Sequence, residues 1–168
     1  MNKNYIILLF FIYLSTLNSQ AERFDNGTQV TLVTKDVISS KYDLDGVVQI
    51  LYDVCTPQGE VLIKSGTPVF YSVDRKKAKG VGRPGNLNIN FISTTAVDGR
   101  VILLRGNKKI VGQSKKGLAI GLGVGLGVTV LPGIGLGFLG IKGKEAILPS
   151  EMVINNIYVA NTYEINIQ

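Results

Sequence analysis

Apolar and polar residues alternate along much of this chain with a period of two, the spacing at which successive side chains of a strand point to opposite faces. Thr28 to Thr34 and Leu87 to Thr94 carry the pattern most clearly; in the second, Leu87, Ile89 and Phe91 share one face and Asn88 and Asn90 the other. Between them, Val47 to Val54, Val61 to Lys64 and Val69 to Val73 are β-branched and aromatic enough to be strands. Asp45-Gly46, Pro57-Gln58-Gly59, Ser65-Gly66 and Asp98-Gly99 supply turn chemistry, the last leading into a strand over Arg100 to Arg105. Lys79 to Asn86, with its glycines and Pro84, reads as a longer basic loop. Strand character returns over Glu145 to Leu148, Met152 to Ala160 and Tyr163 to Ile167. Helical periodicity is almost absent, so the pattern predicts a mainly β fold, a compact antiparallel β-barrel or sandwich.

Two segments break the alternation. At the start, Lys3 precedes an apolar stretch from Ile6 to Leu17 and a small-residue site at Ser19-Gln20-Ala21, the pattern of a secretory signal with cleavage after Ser19 or Ala21. The apolar stretch is shorter than the roughly 20 residues of a transmembrane helix. Residues 1–21 are therefore read as a signal peptide and 22–168 as a single β-domain, acting in the periplasm or at the outer membrane of a bacterial envelope.

The second break is Gly117 to Ile141, which holds no charge and nine of the chain's 20 glycines, with Lys115 and Lys116 before it and Lys142 and Lys144 after. Glycine weakens helices and strands alike, by roughly 0.5 to 1 kcal/mol each. Such a density indicates close backbone packing or a membrane setting. A single helix would span about 37 Å, but Pro132-Gly133 would break it. A helical hairpin turning at Pro132-Gly133 places Gly117, Gly121 and Gly125 on one face. A β-hairpin is also consistent, because Gly121, Gly123, Gly125 and Gly127 alternate with Leu122, Val124, Leu126 and Val128. In either hairpin Gly117, Gly121, Gly125, Leu126, Pro132, Gly133, Leu136 and Phe138 are the candidate membrane or oligomer contacts, and a buried core hairpin remains the plain alternative. Flanking lysines suit an element that leaves and returns on one side, with ammonium groups at the interface.

Charge sharpens this picture. Residues 75 to 116 hold eleven lysines and arginines against one acid, Asp98, while the rest of the mature chain is net acidic. Arg75, Lys76, Lys77, Lys79, Arg83, Lys115 and Lys116 form the candidate basic surface, suited to anionic lipid or an acidic partner. Export makes nucleic acid an unexpected partner.

The chemistry of common enzymes is missing. With no histidine, neither a Cys-His pair nor a Ser-His-Asp triad can be built. Cys55, the single cysteine, cannot form an intramolecular disulfide and reads as a small buried residue at a strand end. Asp43-Leu44-Asp45-Gly46 lacks the further ligands of a calcium loop, and no Gly-Lys-Ser/Thr follows the glycine-rich repeats. Asn26-Gly27-Thr28 fits a glycosylation acceptor only formally. No catalytic, cofactor or metal residue is assigned, and the expectation is a protein that is not an enzyme.

Gly46-Val47-Val48 with Tyr52-Asp53-Val54, then Gly59 and Val61 to Val69, then Leu87 to Phe91 with Asp98-Gly99-Arg100 and Leu103-Leu104, resemble the C-terminal β-barrel domain of the TrbI-like type IV secretion and conjugation scaffold proteins. Lys64-Ser65 stands where that family has proline. The resemblance implies a barrel with a hydrophobic antenna inserted between strands, at the position of the glycine-rich segment, and closing strands over Met152 to Ile167. Together these readings predict a non-enzymatic envelope protein whose β-domain carries a membrane-associating or oligomerising glycine-rich hairpin, with a membrane, an envelope protein or a second copy as partner. The alternative is a soluble periplasmic module that binds an anionic glycan or protein through Arg75 to Arg83.

Overall fold

The computed structural model describes residues 20–116 and 140–167. The described residues form thirteen strands: β1 (Gln20–Phe24), β2 (Gln29–Thr34), β3 (Ile38–Ser39), β4 (Val48–Ile50), β5 (Val54–Cys55), β6 (Val61–Ile63), β7 (Phe70–Lys76), β8 (Asn86–Thr95), β9 (Val101–Arg105), β10 (Asn107–Val111), β11 (Ile147–Leu148), β12 (Val153–Val159) and β13 (Tyr163–Ile167). Every named pair is antiparallel. The fold is thus mainly β, as the alternation predicts.

Seven strands make the main sheet, in the order β10, β8, β9, β12, β2, β4, with β7 on the other edge of β8. Among the described residues no sheet closes into a barrel. The β4 edge instead touches the chain just ahead of β7 at one bridge, Gln49 to Pro68, where the Val69 N–H donates to the Val48 carbonyl and the Ile50 N–H to the Thr67 carbonyl, each at 2.9 Å. Three two-stranded pairs complete the fold: β1 with β13, β3 with β11, and β5 with β6. The inward faces of these elements form one apolar cluster that includes Val30, Leu32, Leu87, Ile89, Ile102, Ile154 and Ile157, each at most 1% exposed. Leu87, Ile89 and Phe91 do share the inner face of β8.

Several local expectations change. Val47 to Val54 is not one strand: it breaks after Ile50, where Tyr52 is 66% exposed and the Asp53 carboxylate accepts the Ser65 N–H at 2.6 Å, turning the chain into the β5–β6 hairpin. Asp45-Gly46 is not a tight turn but part of an irregular stretch; Gly46 is there for space, since a Cβ would lie 2.9 Å from the Asp36 Cβ. Strands β1, β3 and β10 lie outside the runs that the alternation marks as strands. β10 continues β9 past Gly106, whose φ of 147° and contact with Ile157 bend one long strand so that both parts line β8.

Candidate functional site

The basic loop between β7 and β8 is wedged between the two chain segments that flank the glycine-rich excursion. The Gly82 N–H donates to the Ile141 carbonyl at 2.7 Å, while the Gly82 carbonyl accepts the Lys115 N–H at 2.9 Å. One turn further along, the Gly85 N–H donates to the Lys144 carbonyl at 3.0 Å, its carbonyl accepts the Gly112 N–H at 2.9 Å, and the Lys144 N–H reaches the Gln113 carbonyl at 2.9 Å. Three segments, 79–85, 112–116 and 140–146, therefore form a collar stitched by main-chain hydrogen bonds. Residues 115 and 141, which bracket the excursion, are both fastened to Gly82.

Glycine makes this possible because the backbones nearly touch. A Cβ on Gly82 would collide with the Lys115 carbonyl group, one on Gly112 with the Lys144 carbonyl oxygen, and one on Gly143 would lie 2.5 Å from the Arg83 carbonyl oxygen. A fourth, Gly85, would meet Ser40 and Glu145. Those two residues lock the collar to the core. The Ser40 hydroxyl, fully buried, donates to the Glu145 carboxylate at 2.5 Å and accepts the Ala146 N–H at 3.0 Å, and the same carboxylate oxygen accepts the Ala78 N–H at 3.0 Å. Partial burial alone would push the Glu145 carboxyl upward, but the Ser40 hydroxyl, the Ala78 N–H and the charges of Lys41 and Lys142 outweigh it and hold it below the ordinary glutamate value.

The sequence-derived basic surface divides in two. Lys79, Arg83, Lys115 and Lys116 stand exposed on the collar, joined there by Lys142 and Lys144. Lys76 and Lys77 are exposed just before it. Arg75 is not a free surface cation: its side chain is 12% exposed, pairs with Asp45, and donates to the Leu44 carbonyl at 3.1 Å. The proposed contact residues Gly117, Gly121, Gly125, Leu126, Pro132, Gly133, Leu136 and Phe138 lie outside the described residues, as does the choice between helical and β hairpins. Cys55 is exposed, not buried, because β5 belongs to a hairpin outside the main sheet. Sequence reasoning missed the Ser40–Glu145 lock, whose members lie 105 positions apart.

At the other end of β8, roughly 30 Å away by strand rise, an open cleft of about 880 Å³ is lined in part by Glu60, Lys64, Asp98, Arg100 and Asn166. It does hold two carboxylates, but Asp98 is committed. Its carboxylate accepts the Arg100 N–H at 3.0 Å and the Asn166 N–H at 3.1 Å, tying the β8–β9 turn to β13. Burial acts to raise its pKa, yet these N–H groups and the Arg100 charge leave it below the usual aspartate value. Among the described residues no three His, Cys, Asp or Glu side chains are grouped as metal ligands, and no helix is long and apolar enough to cross a membrane. No family model and no curated protein matches the chain.

Proposed function

We propose that this is an exported, non-enzymatic envelope protein whose β-domain holds the glycine-rich segment out from a rigid collar, as a hairpin that associates with a membrane. The observation that carries the reading is the attachment of residues 115 and 141 to the two sides of Gly82. A chain that starts and ends at one point must double back. That favours either hairpin over a single span whose ends would lie about 37 Å apart. The ring of lysines around the root is the charge pattern that keeps such an element at an interface.

Burying the Leu, Ile, Val and Phe side chains of this segment in hydrocarbon contributes several kcal/mol at roughly 25 cal/mol per Å², enough to hold a small domain at a surface. The likeness to the TrbI-like barrel domain, with its inserted antenna, supports the same arrangement. The competing reading, a soluble module that captures an anionic glycan or protein through Arg75 to Arg83, is weakened by the engagement of Arg75 with Asp45 and Leu44.

The test places a single cysteine at Phe138 in a Cys55→Ser background and labels it with an environment-sensitive fluorophore. A blue shift on adding phospholipid vesicles is expected. A spectrum unchanged by vesicles contradicts the membrane reading, and a blue shift that instead tracks protein concentration without lipid assigns the segment to contact between copies.

A further inference from the structure

We propose that the collar is a recognition ring for anionic phospholipid headgroups, so that the domain docks selectively on an acidic leaflet; this rests on the membrane reading above. Six exposed cations, Lys79, Arg83, Lys115, Lys116, Lys142 and Lys144, sit on three segments joined by main-chain hydrogen bonds. Their backbone anchor points are fixed relative to one another. Like charges gathered this way repel, and among the described residues none of the six forms an ion pair. The four ion pairs formed there, Arg23–Asp25, Lys35–Glu151, Arg75–Asp45 and Arg100–Asp98, all use other residues.

The collar segments contain one acid, Glu145, and its carboxylate is taken up by the Ser40 hydroxyl and the Ala78 N–H. That carboxylate keeps its charge and offsets part of the field near Lys142, but its hydrogen bonds point it at the core and it forms no ion pair with the six, so the ring stays net positive. The ring keeps a concentrated positive field, which a phosphate-bearing surface complements without any desolvation of a buried charge. The uncharged sequence 117–139 connects two of the collar's three segments. When that chain enters a bilayer, the six cations come to the depth of the headgroups, where each contributes attraction worth roughly a five-fold change in partitioning at low salt.

The experiment uses the full mature chain and sedimentation with two kinds of vesicle, phosphatidylcholine alone and phosphatidylcholine mixed with phosphatidylglycerol. The wild type is expected to partition at least about 100-fold better to the acidic vesicles, with the preference fading as salt rises from about 0.05 to 0.5 M. Lys142→Gln with Lys144→Gln should lower partitioning to the acidic vesicles by roughly 25-fold and leave the neutral vesicles unaffected. Lys142→Arg with Lys144→Arg should retain wild-type behaviour, which separates lost charge from a disturbed fold. Equal partitioning to both vesicles, or an acidic preference untouched by the Gln pair, overturns the headgroup proposal while leaving the membrane reading intact. No partitioning to either vesicle overturns both. Binding of a DNA duplex that competes with the acidic vesicles assigns the cations to nucleic acid and likewise overturns it.

Discussion

Gly112 shows how little room the collar leaves. Its missing side chain is the space through which the Lys144 carbonyl passes, so Gly112→Ala must push two backbones apart and break the hydrogen bond to Gly85. We expect a loss of about 3 kcal/mol or more, roughly 10 °C in Tm by thermal unfolding. Gly59→Ala, at an exposed turn with nothing near its Cβ, carries only the strain of its positive φ and should cost about 1 kcal/mol. Glu145 supplies a second expectation. Its folded pKa is depressed, so its contribution is complete above the unfolded value near 4.5 and is lost as pH falls through the lower folded value. Stability measured by denaturant titration should therefore decline on acidification below about pH 5 less steeply in Glu145→Gln than in the wild type. At this scale the sequence was only partly legible. The glycines of Lys79 to Asn86 mark a loop in the sequence, whereas the close backbone approach that requires Gly82 and Gly85 is three-dimensional, and no local pattern pairs Ser40 with Glu145.

Among the elements, the long alternating runs emerged as strands because burial on one face enforces period two, as Leu87, Ile89 and Phe91 show in β8. Short or charged strands did not declare themselves. In β10, Asn107-Lys108-Lys109 hides its pairing with β8, which is main-chain chemistry that any side chain tolerates. β1 was obscured by its overlap with residues 19–21, which the sequence offers as a cleavage site. Its register, with Gln20 opposite Ile167 and Ala21 opposite Asn166, bears on processing, since cleavage after Ala21 would remove two ladder residues and cleavage after Ser19 none. The mature protein should accordingly begin at Gln20, which intact-mass spectrometry would read directly; a start at Glu22 would be the contrary result. The link from β2 to the turn before β12 rests on buried Thr34, whose hydroxyl donates to the Pro149 carbonyl at 2.7 Å and accepts the Met152 N–H at 3.0 Å. Thr34→Val keeps the shape but orphans both groups, and should cost about 2 kcal/mol in chemical unfolding.

For the whole molecule, the charge asymmetry seen along the sequence becomes a spatial division, though not the one the sequence suggested. Arg75 is drawn into an ion pair with the acidic Asp45, while Lys142 and Lys144, distant in sequence from the basic block, join its collar end. The excursion could be recognised from its missing charges and its glycines, but the fastening of both its ends to one glycine could be known only from the fold. That fastening can be tested by deleting the excursion. Residues 117–139 are replaced by a short Gly-Ser linker, which the convergence of the flanking segments at Gly82 allows, and the variant is compared with the wild type by thermal unfolding and by sedimentation with acidic phospholipid vesicles. The variant is expected to unfold within a few degrees of the wild type, roughly 1 kcal/mol or less, and no longer to sediment with vesicles. A variant that still sediments as the wild type does, or one that cannot fold because the segment belongs to the core, would contradict this expectation.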